Sequence, residues 1–417
     1  MVVAGLALAG VWAVFRPGGP PLTAAAFSHG TITPNADGSG DTVRITYRLR
    51  RPARLTIQFI DEAGQTFAFR DHEPRDAGEY QIDFRGVVDA FTLPGETWPE
   101  GFAGQVTRRV LPDGAYQWKV AAQDDQGAAN EITGQLTVTD ADGALPLLKL
   151  TVSPLTFTPN QDGIGDRVRI NVWLDKVVPE EGLRVFLIGP DGTRLPIAEA
   201  VSDLRPGEVG THTYDYDAGI DQNLEPPTDG AYTVRAEAED TIGQRVEVET
   251  QLLIANGGLP RAQIYRGEVE WSASSVISGS VFSFSLVVEN YGTAPLRTTG
   301  PASGYVYESM SVNANTLGEY EEAGAWRVGI NCQTCKSDYP WRWALGDPDN
   351  LSLIPDEHGN PQYYLMPGET VVVTGSIVLD EVIPSLNPQY FWAGLIHENV
   401  AVVNNRIDQE LVTIVTP

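Results

Sequence analysis

The sequence predicts an all-β protein, with three tandem β-sandwiches following a short apolar N-terminal segment. Three observations carry this reading: apolar and polar residues alternate at every step in several stretches, a long part of the chain is written twice, and no capped helical period interrupts either copy. The length of 417 residues corresponds to roughly three domains at about 150 residues each. Hydrophobic residues make up 42% of the chain, enough to build cores, so a wholly disordered polymer is excluded.

The first element is residues 1–15, MVVAGLALAGVWAVF, apolar and uncharged, stopped by Arg16-Pro17-Gly18-Gly19-Pro20-Pro21. Fifteen residues of helix span about 22 Å, short of the ~30 Å hydrocarbon core of a bilayer. Ala24, Ala25 and Ala26 offer a small-residue cleavage site before Phe27. Residues 1–26 therefore read as a signal peptide or an N-terminal membrane anchor, with any tether running through residues 1–15. The chain is expected to be exported to the cell surface or the extracellular space, and cleavage and retention both stay open.

The repeat comes next. Thr33-Pro34-Asn35-Ala36-Asp37-Gly38-Ser39-Gly40-Asp41 is echoed by Thr158-Pro159-Asn160-Gln161-Asp162-Gly163-Ile164-Gly165-Asp166. A strand pattern follows each opening: Val43, Ile45, Tyr47 and Leu49 alternate with Arg44, Thr46 and Arg48, and Val168, Ile170, Val172 and Leu174 alternate with Arg169, Asn171 and Trp173. Residues 55–60 then run into the turn Asp61-Glu62-Ala63-Gly64, and residues 183–188 into Gly189-Pro190-Asp191-Gly192. Late in each copy stands Asp-Gly-Ala-Tyr, at 113–116 and 229–232. A tyrosine at the start of a late strand suits a tyrosine corner, its hydroxyl bonding back to the backbone. The copies differ only by loop insertions.

The Pro-Asn-x-Asp-Gly-x-x-Asp opening, the alternating strand, the hairpin and the Asp-Gly-x-Tyr strand together resemble the immunoglobulin-like domain of flagellar hook-capping (FlgD-like) proteins. The resemblance covers residues 27–256 and departs at Ala36 and Gln161, where that family has glycine. The family's Trp-Asp-Gly strand end is replaced too, by Asp83-Phe84-Arg85-Gly86 and Tyr214-Asp215-Tyr216-Asp217. It implies immunoglobulin-like sandwiches over residues 27–144 and 145–258, acting as scaffold and interaction modules without active sites.

Asn35, Asp37 and Asp41, like Asn160, Asp162 and Asp166, set hard oxygen ligands around a glycine in a tight loop, as calcium requires. The acidic twelfth position of an EF-hand is missing, since Thr46 stands there. The competing reading is a plain Asx turn, in which the side chains hold backbone N–H groups and glycine takes positive φ. Calcium is the one cofactor the sequence raises, and duplication would have copied either device.

The repeat ends near Ala255-Asn256-Gly257-Gly258-Leu259-Pro260. Residues 286–295 (LVVENYGTAP), Met366-Pro367-Gly368-Glu369-Thr370 and residues 400–405 (VAVVNN) resemble a cell-adhesion-related (CARDB-like) immunoglobulin-like domain. That resemblance implies a third sandwich over 259–417, with residues 298–364 as an aromatic-rich insertion. Tyr339-Pro340-Trp341-Arg342-Trp343 is the place for an exposed patch, with Tyr339, Trp341 and Trp343 as candidate ligand-binding rings; filling a core is the competing use of large aromatics. Cys332 and Cys335 are the only cysteines, and in an exported chain they read as a small disulfide loop. Zinc would need two further ligands, and the five histidines show no paired spacing.

A net charge of −27 repels phosphate backbones, which argues against a nucleic-acid partner. No nucleophile elbow, zinc-protease motif, phosphate loop or dinucleotide fingerprint occurs. The expectation is a non-catalytic cell-surface scaffold, structural or adhesive. Its partners would be other envelope or surface proteins, in a filament, S-layer or membrane complex, or a polysaccharide held by the C-terminal aromatics.

Overall fold

Every alternating stretch becomes a ladder strand. The computed structural model describes residues 19–102, 104–356 and 358–416; the export reading of residues 1–15 lies outside them. Among the described residues there are 31 strands and four short 3-10 turns, with no α-helix, so the protein is all-β. It divides into two compact units: Met1–Val152, Ile170–Tyr214 and Thr233–Gln251 in one, and Ser153–Arg169, Asp215–Tyr232 and Leu252–Pro417 in the other.

The first repeat contains β1 (Leu22–Phe27), β2 (Thr31–Ile32), β3 (Val43–Leu49), β4 (Ala53–Ile60), β5 (Thr66–Arg75), β6 (Gly78–Phe84), β7 (Val87–Asp89), β8 (Gln105–Val110), β9 (Gly114–Gln123) and β10 (Ala129–Val138). Two sheets form, in the orders β1-β3-β6 and β2-β10-β9-β4-β5. β2 runs parallel to β10 while β9 and β4 are antiparallel to their neighbours, the arrangement of an immunoglobulin-like sandwich. Val43, Ile45, Tyr47 and Leu49 face inward against Leu55, Ile57 and Phe59 of the other sheet, all buried. The period of two thus sorts each strand into one wet and one dry face.

One boundary is corrected. The three alanines proposed as a cleavage site belong to β1, which pairs with β3 from Leu22↔Leu49 to Phe27↔Ile45. Leu22 is buried, and its backbone is bonded on both sides by the Asn130 amide (3.0 and 2.8 Å). The first sandwich therefore starts by Leu22, ahead of residue 27, and cutting after Ala26 would remove most of a ladder strand. Small side chains suit a cleavage site, but the ladder is made by the backbone.

The second repeat supplies β11 (Leu148–Ser153), β12 (Thr156–Phe157), β13 (Val168–Leu174), β14 (Leu183–Ile188), β15 (Arg194–Ile197), β16 (Gly210–Tyr216), β17 (Gly230–Glu239) and β18 (Arg245–Ile254). Its sheets repeat the first copy strand for strand, as β11-β13-β16 and β15-β14-β17-β18, with β12 parallel to the end of β18. Both tyrosine corners are present: Tyr116 and Tyr232 donate to the carbonyls of Pro112 and Thr228, each at 2.8 Å. The loop insertion of the first copy has a use. It folds into the β7–β8 hairpin, and β8 pairs with β18 at Arg245↔Arg108, Val246↔Val106 and Glu247↔Gln105. A sheet edge that would otherwise offer free backbone groups is thereby closed within the unit.

The C-terminal region adds β19 (Ala262–Ile264), β20 (Glu270–Trp271), β21 (Ser275–Ile277), β22 (Ser280–Asn290), β23 (Leu296–Thr298), β24 (Val306–Tyr307), β25 (Trp326–Cys332), β26 (Trp341–Ala344), β27 (Ser352–Pro355), β28 (Pro361–Leu365), β29 (Thr370–Leu379), β30 (Gln389–His397) and β31 (Ala401–Val415). The order β21-β31-β30-β25-β26, with β21 parallel to β31, matches the larger sheet of both repeats. Its opposite layer is β19-β22-β29-β24, and β23-β28-β27 forms a small third sheet. The stretch taken from sequence as an insertion thus contains two framework strands, β25 and β26. They escaped notice because β25 is buried along its whole length and shows no alternation.

Candidate functional surfaces

The carboxylate loops share the same pattern of backbone bonding. In the first copy Asn35 Oδ1 accepts from the Asp37 N–H (3.0 Å) and Asp37 Oδ1 from the Ser39 N–H (2.7 Å). The Asp41 carboxylate accepts from the N–H groups of Asn35, Ala36 and Gly38 (3.3, 2.8 and 2.7 Å). In the second, Asn160 and Asp162 accept from Asp162 and Ile164 (3.0 and 2.8 Å), and Asp166 from Asn160 and Gly163 (3.1 and 2.6 Å). Gly38 and Gly163 have φ of 87° and 83°, which glycine adopts at little cost.

These are Asx turns. At Asn35, Asp37, Asp41, Asn160, Asp162 and Asp166 the side-chain oxygens raised as calcium ligands accept backbone N–H groups of their own loops. Among the described residues no group of three or more His, Cys, Asp or Glu is placed to hold a metal ion.

The two loops differ in what covers them. The first is largely exposed, whereas Asn160 and Asp162 of the second are buried and built into the third sandwich. Arg297 donates through Nε to the Asp162 carbonyl (2.6 Å) and through Nη2 to the Ala323 carbonyl (2.7 Å), and it pairs with Glu322. Tyr364 donates its hydroxyl to Asp162 Oδ2 (2.9 Å), and His397 donates through Nε2 to the Gln161 carbonyl (2.8 Å). A Cβ on Gly163 would lie 2.2 Å from the Ala323 carbonyl oxygen, and one on Gly324 2.1 Å from the Asp162 carbonyl carbon. Glycine on both sides lets the two backbones touch.

Burial perturbs Asp162, Asp166, Tyr364 and His397 in this seat. Desolvation, helped by the neighbouring Asp162 charge, pushes Asp166 up to about 6. Burial also raises Asp162 and the Tyr364 hydroxyl. His397, stacked on Trp326 with ring centres 4.3 Å apart, is lowered by burial to about 4. A cavity of ≈ 260 Å³ lies beside the loop, bordered by Asn160, Asp162, Asn256, Pro295 and Tyr364.

The aromatic residues proposed as ligand-binding are core residues, and that expectation is corrected. Tyr339, Trp341 and Trp343 are 1%, 1% and 0% exposed. Trp341 and Trp343 face the main core of the third sandwich, with indole N–H groups donating to the carbonyls of Val312 (2.9 Å) and Tyr305 (3.0 Å). Tyr339 forms a separate cluster with Trp392 and Ile396, its hydroxyl donating to Asn405 Oδ1 (2.7 Å). None of the three presents a ring to solvent. Cys332 and Cys335 are joined as a disulfide, as expected.

Sequence reasoning missed Arg297, Arg327, His397 and Glu398, all buried. Glu398 draws together Arg342, at 2.7 Å, and Arg327, at 3.4 Å. In an acidic chain these charges look like ordinary solvated surface, and no local signal separates them. Among the described residues the exposed tryptophans lie elsewhere: Trp98 and Trp173 are 40% and 39% accessible.

No family model matches the chain, and no curated protein is significantly similar to it. Similar solved structures include a tetra-tandem repeat from the extending region of a large adhesion protein, with 13% identity over 89% of this chain and 81% of that one, TM-score 0.20. A DUF4785-family protein from Legionella pneumophila shares 10% identity over 99% and 93% of the two chains, TM-score 0.24. A bacterial ice-binding adhesin shares 12% over 90% and 99%, TM-score 0.19. No activity or binding partner is carried over from them.

Proposed function

We propose that this chain is a non-catalytic, exported scaffold of immunoglobulin-like domains, two FlgD-like and one CARDB-like, acting at the cell surface beside other envelope proteins. The observation that supports this most is the fate of the duplicated loop. Its carboxylates hold backbone in both copies, and in the second they are locked under Arg297, Tyr364 and His397. Asp162, Asp166 and His397, whose titration burial shifts, are thus bonded to backbone or to a neighbouring side chain within the fold. An N-terminal anchor or cleaved leader would deliver the chain to the envelope.

The test is protease shaving of intact cells, followed by cross-linking and identification of neighbours. The expected result is release of tryptic fragments from residues 19–416 and reproducible cross-links to other envelope proteins. Recovery of the chain only from the cytoplasm, or turnover of a substrate by the purified chain, overturns the reading.

A further inference from the structure

We infer that the open face of the β11-β13-β16 sheet, together with the loop joining β7 to β8, binds a polysaccharide that carries uronate groups. This goes beyond the scaffold reading, which stands whether or not a glycan binds.

The first observation is the position of the tryptophans. Leaving a large aromatic ring in water forgoes roughly 1.5–3 kcal/mol of burial, and this fold buries Trp118, Trp326, Trp341, Trp343 and Trp392. Trp98 and Trp173 are left out, and they belong to one continuous strip. Trp98 packs on Phe102 with ring centres 4.7 Å apart. Gly101, between them in sequence, lies under Lys149, whose Cε would be 3.6 Å from a Cβ placed there. The Lys149 ammonium in turn sits 5.5 Å from the centre of the Trp173 ring.

The second observation is that the strip is held from below. Arg109 is buried and grips Glu96 through both of its terminal nitrogens (2.8 and 2.5 Å), while Glu96 accepts the Leu93 N–H. This pair anchors the loop and occupies the Glu96 carboxylate, while Glu100 of the same loop is exposed. The rings are therefore presented by a braced loop and by a ladder strand.

The third observation is chemical. On β11, β13 and β16 the outward positions within this unit are Lys149, Thr151, Asn171, Trp173, Thr211 and Thr213. Hydroxyls and an amide alternate with one ring and one cation, and Thr213 donates to Asn171 Oδ1 (3.0 Å). No carboxylate occupies any of these six positions in a chain of net charge −27, and Asp215, the next outward position of β16, is paired with Arg167. A pyranose offers an apolar C–H face for a ring and hydroxyls for the amide and threonines. Lys149, with no carboxylate at ion-pair distance among the described residues, complements a sugar carboxylate. A flat protein partner would meet the same polar rows without needing exposed rings on two separate elements.

The experiment is titration calorimetry of the full chain with hexa-galacturonate and, as the neutral control, maltohexaose. Wild type is expected to bind the uronate oligomer at least tenfold more tightly than the neutral one. W98A and W173A each weaken that binding at least fivefold with unchanged melting, since both rings are exposed. K149Q removes the preference for the acidic oligomer while retaining the neutral-sugar affinity. Absence of heat with both oligomers overturns the proposal, as does binding that W98A and W173A leave untouched. Equal wild-type affinity for the two oligomers overturns the uronate assignment.

Discussion

At the residue scale the second carboxylate loop shows what burial does to ordinary side chains. Arg297 is 1% exposed and serves three acceptors at once. Removing one partner of such a set leaves buried polar groups unsatisfied, which costs about 3 kcal/mol. R297A is expected to lower the unfolding free energy by that amount in urea titration, whereas the exposed variant R205A changes it negligibly. Asp166 and His397 make opposite contributions to acid stability. The Asp166 pKa is raised to about 6 in the fold, so native protein holds its proton more tightly, and the stability this confers at low pH is lost as pH rises from about 4 to 6. The His397 pKa is lowered to about 4, so the stability of its neutral form is present above pH ~6.5 and is lost as pH falls toward 4. Both act in the same pH window and offset each other. D166N should therefore expose a loss of stability on acidification, and H397Q a gain, in melting curves between pH 4 and 7.

At the element scale, strand alternation was readable residue by residue. Ile45 and Ile170 were assigned inward from sequence, and both are 0% exposed. Aspartate at either would bury an unpaired charge, so I45D and I170D should each lose the cooperative melting transition. A variant that melts as wild type would contradict the strand assignment. The β7–β8 hairpin was visible in sequence only as extra length in one copy, because its partner, β18, lies more than 130 residues away along the chain. Replacing residues 87–110 by a short Gly-Ser linker uncovers the Arg245–Glu247 edge. The expected result is concentration-dependent association in light scattering, since an uncovered edge pairs with other chains.

At the scale of the whole molecule, composition governs solution behaviour more than fold. A net charge of −27 makes the folded state repel itself, and added salt screens that repulsion. Melting temperature should rise by several degrees between 10 and 300 mM sodium chloride; a fall would mean that favourable ion pairs dominate. The aromatic-rich region illustrates the limit of reading at this scale. Tyr339, Trp341 and Trp343 looked like a surface platform because they crowd a short polar stretch, yet the sheet pairing Ile330↔Trp341 and Val328↔Trp343 turns two of them into the core. Trp173 was placed on the outward face by alternation alone, and it is one of two tryptophans left exposed among the described residues.

The sequence alone determined the class of the protein, the duplication and the Asx-or-calcium choice at each loop, because alternation and turn chemistry act between neighbours a few residues apart. The tertiary structure decided which of two identical loops is buried, which tryptophans remain wet, and that the third sandwich shares the frame of the others without its motif. Burial is a property of whatever packs against a residue, and at Asp162 that is Arg297 and Tyr364, more than 130 positions further along the chain.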